Sequence, residues 1–348
     1  MLTHLLKVAN ARGISVGWLI AATLIPGVIA VAGLFYQVYR IQEAALEQGA
    51  LQTARALMQA VDRDFGSEQG KLEVLALSPY LDSGDLKAFH DQAVAIAQGE
   101  PGGTSVGGKP PLVGIVISAP NGDQVVNSRL PYGTPLPKAG GASSGSEVYR
   151  TRQPKFYDLF IGGALKIPLV GIGVPVIRND RVTNDLTISF PPERTNRVLL
   201  AQNLPKGWFA TVFDSTGAIV ARSEDIDQYL GKKAEPGFWA TAKQQAEGAM
   251  AVRALDGTAI LRAYNRSSYS HWTVSVSVRK SVLYANVLPP LGLVLLSMLA
   301  FAAATALMTA WARDVSQLKV TQEAMRTPLS ASTRSWKALG HDALMSAT

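Results

Sequence analysis

The chain has 348 residues, 47% of them hydrophobic and 17% charged, with a formal net charge of +7. It contains no cysteine, which excludes disulfides, thiolate zinc sites and cysteine nucleophiles. The positive charge is dispersed: Lys7 and Arg12 give +2 ahead of the first apolar run, the tail after Trp311 gives +2, and +3 is left for everything between. No basic run with interleaved aromatic residues occurs, and the pattern speaks against nucleic acid as a partner.

Val16 to Tyr36 is an uncharged run of 21 residues, and about 20 helical residues cross a bilayer core. Val287 to Trp311 is a second uncharged run, with Pro289 and Pro290 at its start. Aromatic residues stand near the edges of both, as in an interfacial belt: Trp18, Phe35, Tyr36 and Tyr39 on the first, Tyr284 and Trp311 on the second. Lys7 and Arg12 precede the first run, while Arg313, Lys319, Arg326, Arg334 and Lys337 follow the second, which places both termini in the cytoplasm. Ala30-Val31-Ala32 before Gly33 has the form of a signal-peptide cleavage site. The run continues past it to Tyr36, and an uncleaved anchor is the reading adopted.

Arg40 to Leu77 reads as one long helix, roughly 55 Å if unbroken. Leu51, Ala54, Met58, Val61, Phe65, Glu68, Leu72 and Leu75 step by threes and fours along one face. That stripe suits packing on its own domain, a dimer seam, or both along different stretches; Gly49, Gly66 and Gly70 are its weak points. Pro79 is expected to end the helix, and a second helical piece is expected over Ser83 to Gln98, followed by the flexible loop GEPGGTSVGGKPP.

The period then changes to that of strands. Strands are expected over Leu112–Ser118, Gln124–Arg129, Tyr157–Ala164, Leu169–Ile177 and Thr183–Phe190, with Asn121-Gly122 as a hairpin turn and a Gly/Ser-rich loop over Lys138–Ser146. The pattern repeats after a helix over Pro191–Asn203. Strands are expected over Trp208–Asp214, Ala218–Ser223, Met250–Ala254, Ala259–Asn265 and Trp272–Val278, with a helical stretch over Glu235–Ala246 and a turn at Asp256-Gly257. VISAPNGDQVVNSR and VFDSTGAIVARS are the same strand–turn–strand device. The fold class is α+β: a long N-terminal helix carrying two tandem PAS-like antiparallel-sheet modules, flanked by two transmembrane helices. The segments are a cytoplasmic N-terminus (1–15), a transmembrane helix (16–38), a stalk helix (39–78), a membrane-distal module (79–190), a membrane-proximal module (191–281), a transmembrane helix (282–312) and a cytoplasmic tail (313–348).

LPKGWFATVFDSTGAIVARSEDIDQYLGKKAEP followed by LDGTAILRAYNRSSYSHWTVSVSV resembles the membrane-proximal half of the double Cache domains of bacterial sensor histidine kinases. VVNSRLPYGTPLP and TRQPKFYDLFIGGALKIPLVGIGVPV resemble the distal half more loosely. The resemblance covers about two-thirds of the chain. It implies an extracytoplasmic sensor in the cell membrane whose ligand sits in the distal module, between sheet and covering loops. The candidate lining there is Tyr149, Arg150, Arg152, Tyr157 and Asp158, suited to a small carboxylate or amino acid. The Arg-x-Trp-Tyr pattern of the amino-acid-binding subset is not present. Asp214 and Arg222 flank the equivalent turn of the second module and are read as fixing it; Trp208, Trp239 and Trp272 are read as core.

No enzyme is legible, and no cofactor is expected. His4, His90, His271 and His341 do not pair at metal-ligand spacing. Gly141-Ala142-Ser143-Ser144-Gly145 matches a nucleophile elbow but lacks the strand and helix that would strain it. Arg326-Thr327-Pro328-Leu329 is similar to part of a kinase phospho-acceptor box, yet Glu323 stands where the resemblance would place the acceptor histidine. His341-Asp342 echoes another such box that does not continue, and no ATP-binding domain follows within the 348 residues. The reading is a membrane-anchored homodimeric sensor that binds a small molecule and passes a signal to a cytoplasmic partner. The alternatives are a non-signalling binding or scaffold protein, a truncated receptor without output, and a membrane-bound enzyme of unrecognised kind.

Overall fold

The computed structural model describes residues 16–105, 109–137 and 147–282, residues 16–24 by backbone alone, and parts of 285–318. The nucleophile-elbow match, the whole Gly/Ser-rich loop, and the kinase-like motifs of the tail lie outside the described residues. Two units are distinguished, residues 42–283 and a second made of 1–41 with 284–348. In the second unit, residues 292–308 are helical, and Met298 lies 3.5 Å from where a Cβ on Gly27 would stand. Among the described residues no helix is long and apolar enough to cross a membrane. Both expected spans lie in good part outside what is described, 16–24 lacking side chains and 287–311 being interrupted.

The long helix α1 (Val16–Ala76) is one 61-residue element. The heptad-like stripe is the face it gives to its own domain: Ala54, Met58, Val61, Phe65, Glu68, Leu72 and Leu75 are all buried, and Leu51 is half-buried. Packing on its own domain, one of the uses open to that stripe, is observed. Gly49 and Gly66 do not break the helix. Each faces an aromatic side chain: a Cβ would stand 3.5 Å from Trp208 at position 49 and 3.9 Å from Tyr269 at position 66. The helix ends at Ala76, and Pro79 is instead the first residue of α2 (Pro79–Ser83), where its missing N–H would have no partner anyway. Helix α3 (Leu86–Gln98) starts later than expected because Asp85 caps it, accepting from the Ala88 amide at 3.0 Å.

The first sheet consists of β1 (Gly114–Ser118), β2 (Gln124–Asn127), β3 (Lys155–Ile161), β4 (Pro168–Arg178) and β5 (Arg181–Phe190), in the order β2-β1-β5-β4-β3. The second consists of β6 (Trp208–Phe213), β7 (Ile219–Arg222), β8 (Glu247–Arg253), β9 (Ala259–Arg266) and β10 (Thr273–Arg279), in the order β7-β6-β10-β9-β8. Strand for strand the second order repeats the first, and all pairings are antiparallel. Short helices connect them: α4 (Glu147–Thr151), α5 (Glu193–Leu200), α6 (Ile226–Tyr229) and α7 (Pro236–Gln244). Helices α4 and α6 are too short to carry a period and are not legible in the sequence. Strand β3 stops at Ile161, short of the expected Ala164, because the chain turns at Gly162, which donates to Ile167 O and accepts from Lys166 N, both at 2.9 Å.

The repeat extends to single atoms. Ser128 Oγ accepts the Ile115 amide at 2.9 Å, and Ser223 Oγ accepts the Ala210 amide at 3.0 Å. Ser128 and Ser223 are thus equivalent, which sets Arg222 against Asn127 rather than against Arg129. Asp214 fixes its turn as expected, Oδ1 accepting from Thr216 N and Ala218 N, both at 2.9 Å. Arg222 does not: it lies between the rings of Phe209 and Tyr229, at 4.2 and 4.4 Å. Both sheets turn apolar faces to α1 and share one core. Phe65 is its meeting point, 4.9 Å from Trp272, the residue just before β10, and 5.4 Å from Phe156 of β3. Trp272 is fully buried; Trp208 and Trp239 are half-buried.

Candidate functional site

Residues alternate across a strand, so each strand of the first sheet has a second face, turned away from α1. On β5 the sequence Asp185-Leu186-Thr187-Ile188-Ser189-Phe190 sends Leu186, Ile188 and Phe190 into the core. Asp185, Thr187 and Ser189 go to the other face together with Ser118, Asn127 and Tyr157, and all six are buried. An uncovered antiparallel sheet would leave such groups in water. Here α4 and the turn after β3 cover them; Tyr149 of α4 donates its hydroxyl to Ser118 O at 2.7 Å. Between sheet and cover lies a cavity of about 40 Å³, lined among others by Ser118, Gln124, Asn127, Arg129, Phe160 and Leu165.

Arg129 is the unusual member. It is 6% exposed, and among the described residues no carboxylate pairs with it. Its Nη2 donates to Leu112 O at 3.0 Å, Ser189 O at 2.7 Å and Ser189 Oγ at 2.9 Å, while Nε has no hydrogen-bond partner. Burial pulls its pKa down to about 10. The side chain lies over Gly114, where a Cβ would stand 2.5 Å from its Cγ and 2.8 Å from its Nε. Glycine at 114 is therefore what lets a guanidinium lie flat on the strand. An unpaired buried charge costs on the order of several kcal/mol unless an anion or a set of dipoles offsets it. Three acceptors on Nη2 do part of that, while Nε stays buried without a partner and the residue lines the cavity.

Asp185 stands on the far side of β5. Its carboxylate accepts from Tyr157 Oη and, at 3.2 Å, from Thr187 Oγ1. Gly173 makes room for it, since a Cβ there would stand 2.5 Å from Asp185 Oδ1. Burial, and then the charge of Asp185, push the Tyr149 hydroxyl up to about 12. Asp185 is not among the cavity's lining residues.

Of the residues expected to line a ligand, Tyr149 and Tyr157 reach this polar face. Arg150 is exposed and paired with Glu147 at 2.7 Å. Arg152 has a left-handed backbone (φ 58°) and pairs with Asp180 at 2.5 Å on the surface. Asp158 points towards the second sheet, accepting from Ser215 N at 2.8 Å and Ser215 Oγ at 2.5 Å. The structure does not bring these five together. The residues that sequence reasoning passes over are Arg129, Asn127, Ser189 and Asp185. Their signal is present in VVNSR, a segment singled out as a hairpin strand and for its resemblance, and in the polar alternation of DLTIS.

The corresponding face of the second sheet is filled instead. Phe213, Phe238 and Tyr264 pack there under α7, and Arg262, 2% exposed, is paired with Glu235 at 2.5 Å. The candidate site therefore belongs to the first sheet. Among the described residues no cluster of metal-ligating side chains occurs.

No protein-family model matches the chain, and no curated protein matches it by sequence. Solved structures do. The ligand-binding domain of the Campylobacter jejuni chemoreceptor Tlp3, in complex with L-valine, is 10% identical, with a TM-score of 0.51 over 70% of this chain and 97% of that one. The ligand-binding domain of the Pseudomonas aeruginosa PAO1 amino acid chemoreceptor PctB, in complex with L-Arg, is 11% identical, with a TM-score of 0.50 over 69% and 97%. The extracellular domain of rpHK1S-Z16, an inferred histidine kinase, is 14% identical, with a TM-score of 0.48 over 73% and 98%. With its long helix, its two sheets of one strand order and the covered polar face of its first sheet, the chain has the fold of the double Cache sensor domains, as the sequence resemblance implied.

Proposed function

We propose that this protein is an extracytoplasmic sensor, held in the membrane by its two apolar segments, whose first module binds a small anionic molecule on the outer face of its sheet. The observation that carries the reading is Arg129: a buried guanidinium that lines a cavity, has no carboxylate partner among the described residues, and lies in a place kept clear by Gly114. Guanidinium is the side chain best suited to a carboxylate, since its planar donors match both oxygens. Ser118, Gln124, Asn127 and Thr187 supply further polar groups around the cavity. Anchoring is supported by exposed apolar side chains in the other unit, among them Ile25, Ile29, Leu34, Leu293, Leu299 and Phe301, each more than half exposed. The signal would pass through α1, on which both sheets pack.

The test is a thermal-shift titration of the full chain in detergent against carboxylates, amino acids, amines and sugars. A ligand that binds the folded state raises the melting temperature with log concentration. A dose-dependent shift from an anion, lost in Arg129→Met, is the expected result; a cleanly melting protein with no shift across the panel would sink the reading. Topology is tested separately. The chain has no cysteine, so Asn121→Cys in the β1–β2 turn gives one thiol, which an impermeant maleimide should label in intact cells.

A further inference from the structure

We infer that the outer edge of β8 is a docking surface for an extended segment of another protein, which joins the second sheet as a sixth strand. The inference goes beyond the ligand reading and makes no use of the cavity.

The edge strands of the two sheets are β2, β3, β7 and β8. An edge strand carries a row of N–H and C=O groups without partners, and folded proteins blunt such rows with short strands, bulges, prolines, lysines or a covering segment. Strand β2 has four residues, and its pairing with β1 shifts register at Ile117/Ser118. Strand β3 shifts register between Tyr157 and Phe160, and its Leu159 amide donates to Asp214 Oδ2 at 3.2 Å. Strand β7 has four residues, and the segment after α6 closes its outer side: Ile219 N donates to Lys232 O at 2.9 Å and Gly231 N to Ile219 O at 2.8 Å. Strand β8 has none of these devices. All seven residues, Glu-Gly-Ala-Met-Ala-Val-Arg, pair with β9 in one unbroken register, with no proline and no lysine among them.

The ladder shows which groups point outward. Ala246 and Arg266 stand opposite each other just before the first pair, Glu247 with Asn265, and Arg266 N donates to Ala246 O at 2.7 Å. Bonded and non-bonded pairs alternate along antiparallel strands. Gly248, Met250 and Val252 therefore bond to β9, while Glu247, Ala249, Ala251 and Arg253 turn their N–H and C=O groups to the free side. Ala254, in step with the bonded set, donates its amide to Thr258 O at 2.9 Å. Among the described residues no hydrogen bond reaches the outward backbone groups of Ala249 and Ala251. What such a row recognises is another polypeptide backbone.

The side chains state what that backbone carries. Arg253 is exposed; it donates to Gly257 O at 3.3 Å and, among the described residues, pairs with no carboxylate. Glu247, at the other end, is held by Arg55 at 2.5 Å. Ala249 and Ala251 lie between them on the same face and leave space beside it. An antiparallel segment of the pattern acid-x-apolar-x-apolar sets its acid opposite Arg253 and its apolar side chains opposite Ala251 and Ala249. A second copy of β8 also matches in charge, Glu247 facing Arg253 at both ends, but the two-fold axis of that pair is normal to the sheet. Helix α1 lies along the face of the sheet, so the axis turns one α1 over relative to the other. Two chains held in one membrane by the same apolar segments, as proposed above, stand the same way up, and the occupant is therefore a different protein.

The test is fluorescence anisotropy of the labelled peptide Thr-Glu-Thr-Val-Thr-Val-Thr with the full chain in detergent. Saturable binding is expected. Ala251→Pro removes one outward N–H and no bond of the β8–β9 ladder, so it should fold as wild type does and weaken binding at least tenfold. Arg253→Glu should weaken binding likewise, and should bind instead the peptide with Lys in place of Glu. If Ala251→Pro fails to fold, as judged by far-ultraviolet circular dichroism, the charge exchange at position 253 still decides. A peptide that does not bind wild type, or that binds wild type and both variants equally, overturns the inference. Sedimentation of the same samples reads out the rival occupant: a wild-type dimer that Ala251→Pro disperses, with no peptide binding, assigns the edge to a second copy and overturns it too. Each of these outcomes leaves the Arg129 cavity to its own test.

Discussion

The carboxylate of Asp158, in the first sheet, accepts both the amide and the hydroxyl of Ser215, in the first hairpin turn of the second sheet. Leu159 N adds a bond to Asp214 Oδ2 at 3.2 Å, so two acids stand together where the sheets meet. Burial raises the Asp158 pKa, Ser215 lowers it less, and the charge of Asp214 raises it again; the net direction is up. A carboxyl whose folded pKa is raised binds its proton more tightly folded than unfolded. Its contribution is fully present below the unfolded value, about 3.9, and is lost as pH rises through the raised folded value. Asp158→Asn keeps an acceptor without the charge, so its stability relative to wild type should improve from about pH 4 upward. Asp158→Ala removes the acceptor and should cost about 1–3 kcal/mol. Chemical denaturation of the full chain between pH 4 and 7 separates the two; an Asn variant that runs parallel to wild type across the range would count against the assignment.

Gly114 and Arg129 form a second testable pair. A methyl group at 114 meets the guanidinium stem at 2.5 Å, so Gly114→Ala must push Arg129 off the strand. Because the clash is with a side chain and not with backbone, the fold should survive with a loss of about 1–3 kcal/mol. Anion binding should fall at least tenfold. An alanine variant that binds the anion as wild type does would show that Arg129 does not need this position.

Phe65 touches Phe156, Phe190 and Trp272, and so both sheets at once. Phe65→Ala should cost about 3–5 kcal/mol, a large-to-small change in a full core. The more specific expectation is that unfolding stays a single transition, followed equally by tryptophan fluorescence and by circular dichroism. Two separated transitions would mean that the sheets are held independently.

Arg150 and Arg152 make exposed pairs with Glu147 and Asp180, and exposed pairs contribute little. Arg150→Ala and Arg152→Ala are expected to leave both the melting temperature and anion binding unchanged. A loss of binding in either would move the site towards α4.

The contrast between those arginines and Arg129 shows where sequence reading succeeds. Ten strands and the long helix are legible because periods of two and of three to four run along many residues, and Asn121-Gly122 and Asp256-Gly257 mark turns by their own chemistry. The site is legible only as a region. Tyr149 and Tyr157 lie on the same polar face but not among the residues lining the cavity, and whether an arginine is buried depends on what crosses above it. Arg129 is buried because Gly114, fifteen residues away in sequence, leaves room and because Leu112 and Ser189 offer oxygen atoms. Arg152 is exposed because a left-handed backbone turns it out to Asp180. Neither fact lies in a local pattern. The Ser-Arg and Arg-Ser hairpin ends mislead for the same reason: the shared feature is the serine, which bonds backwards to β1 or β6, and the arginines on either side go different ways.

The second sheet repeats the strand order, turn bonds and hairpin serine of the first, but one helix serves them both. What recurs in this chain is therefore a set of strands without its own supporting wall. A graft of either sheet into another protein would carry an apolar face with nothing to lie on unless a length of α1 went with it. The proper cut for such a chimera falls in the helix, far in sequence from the strands it supports.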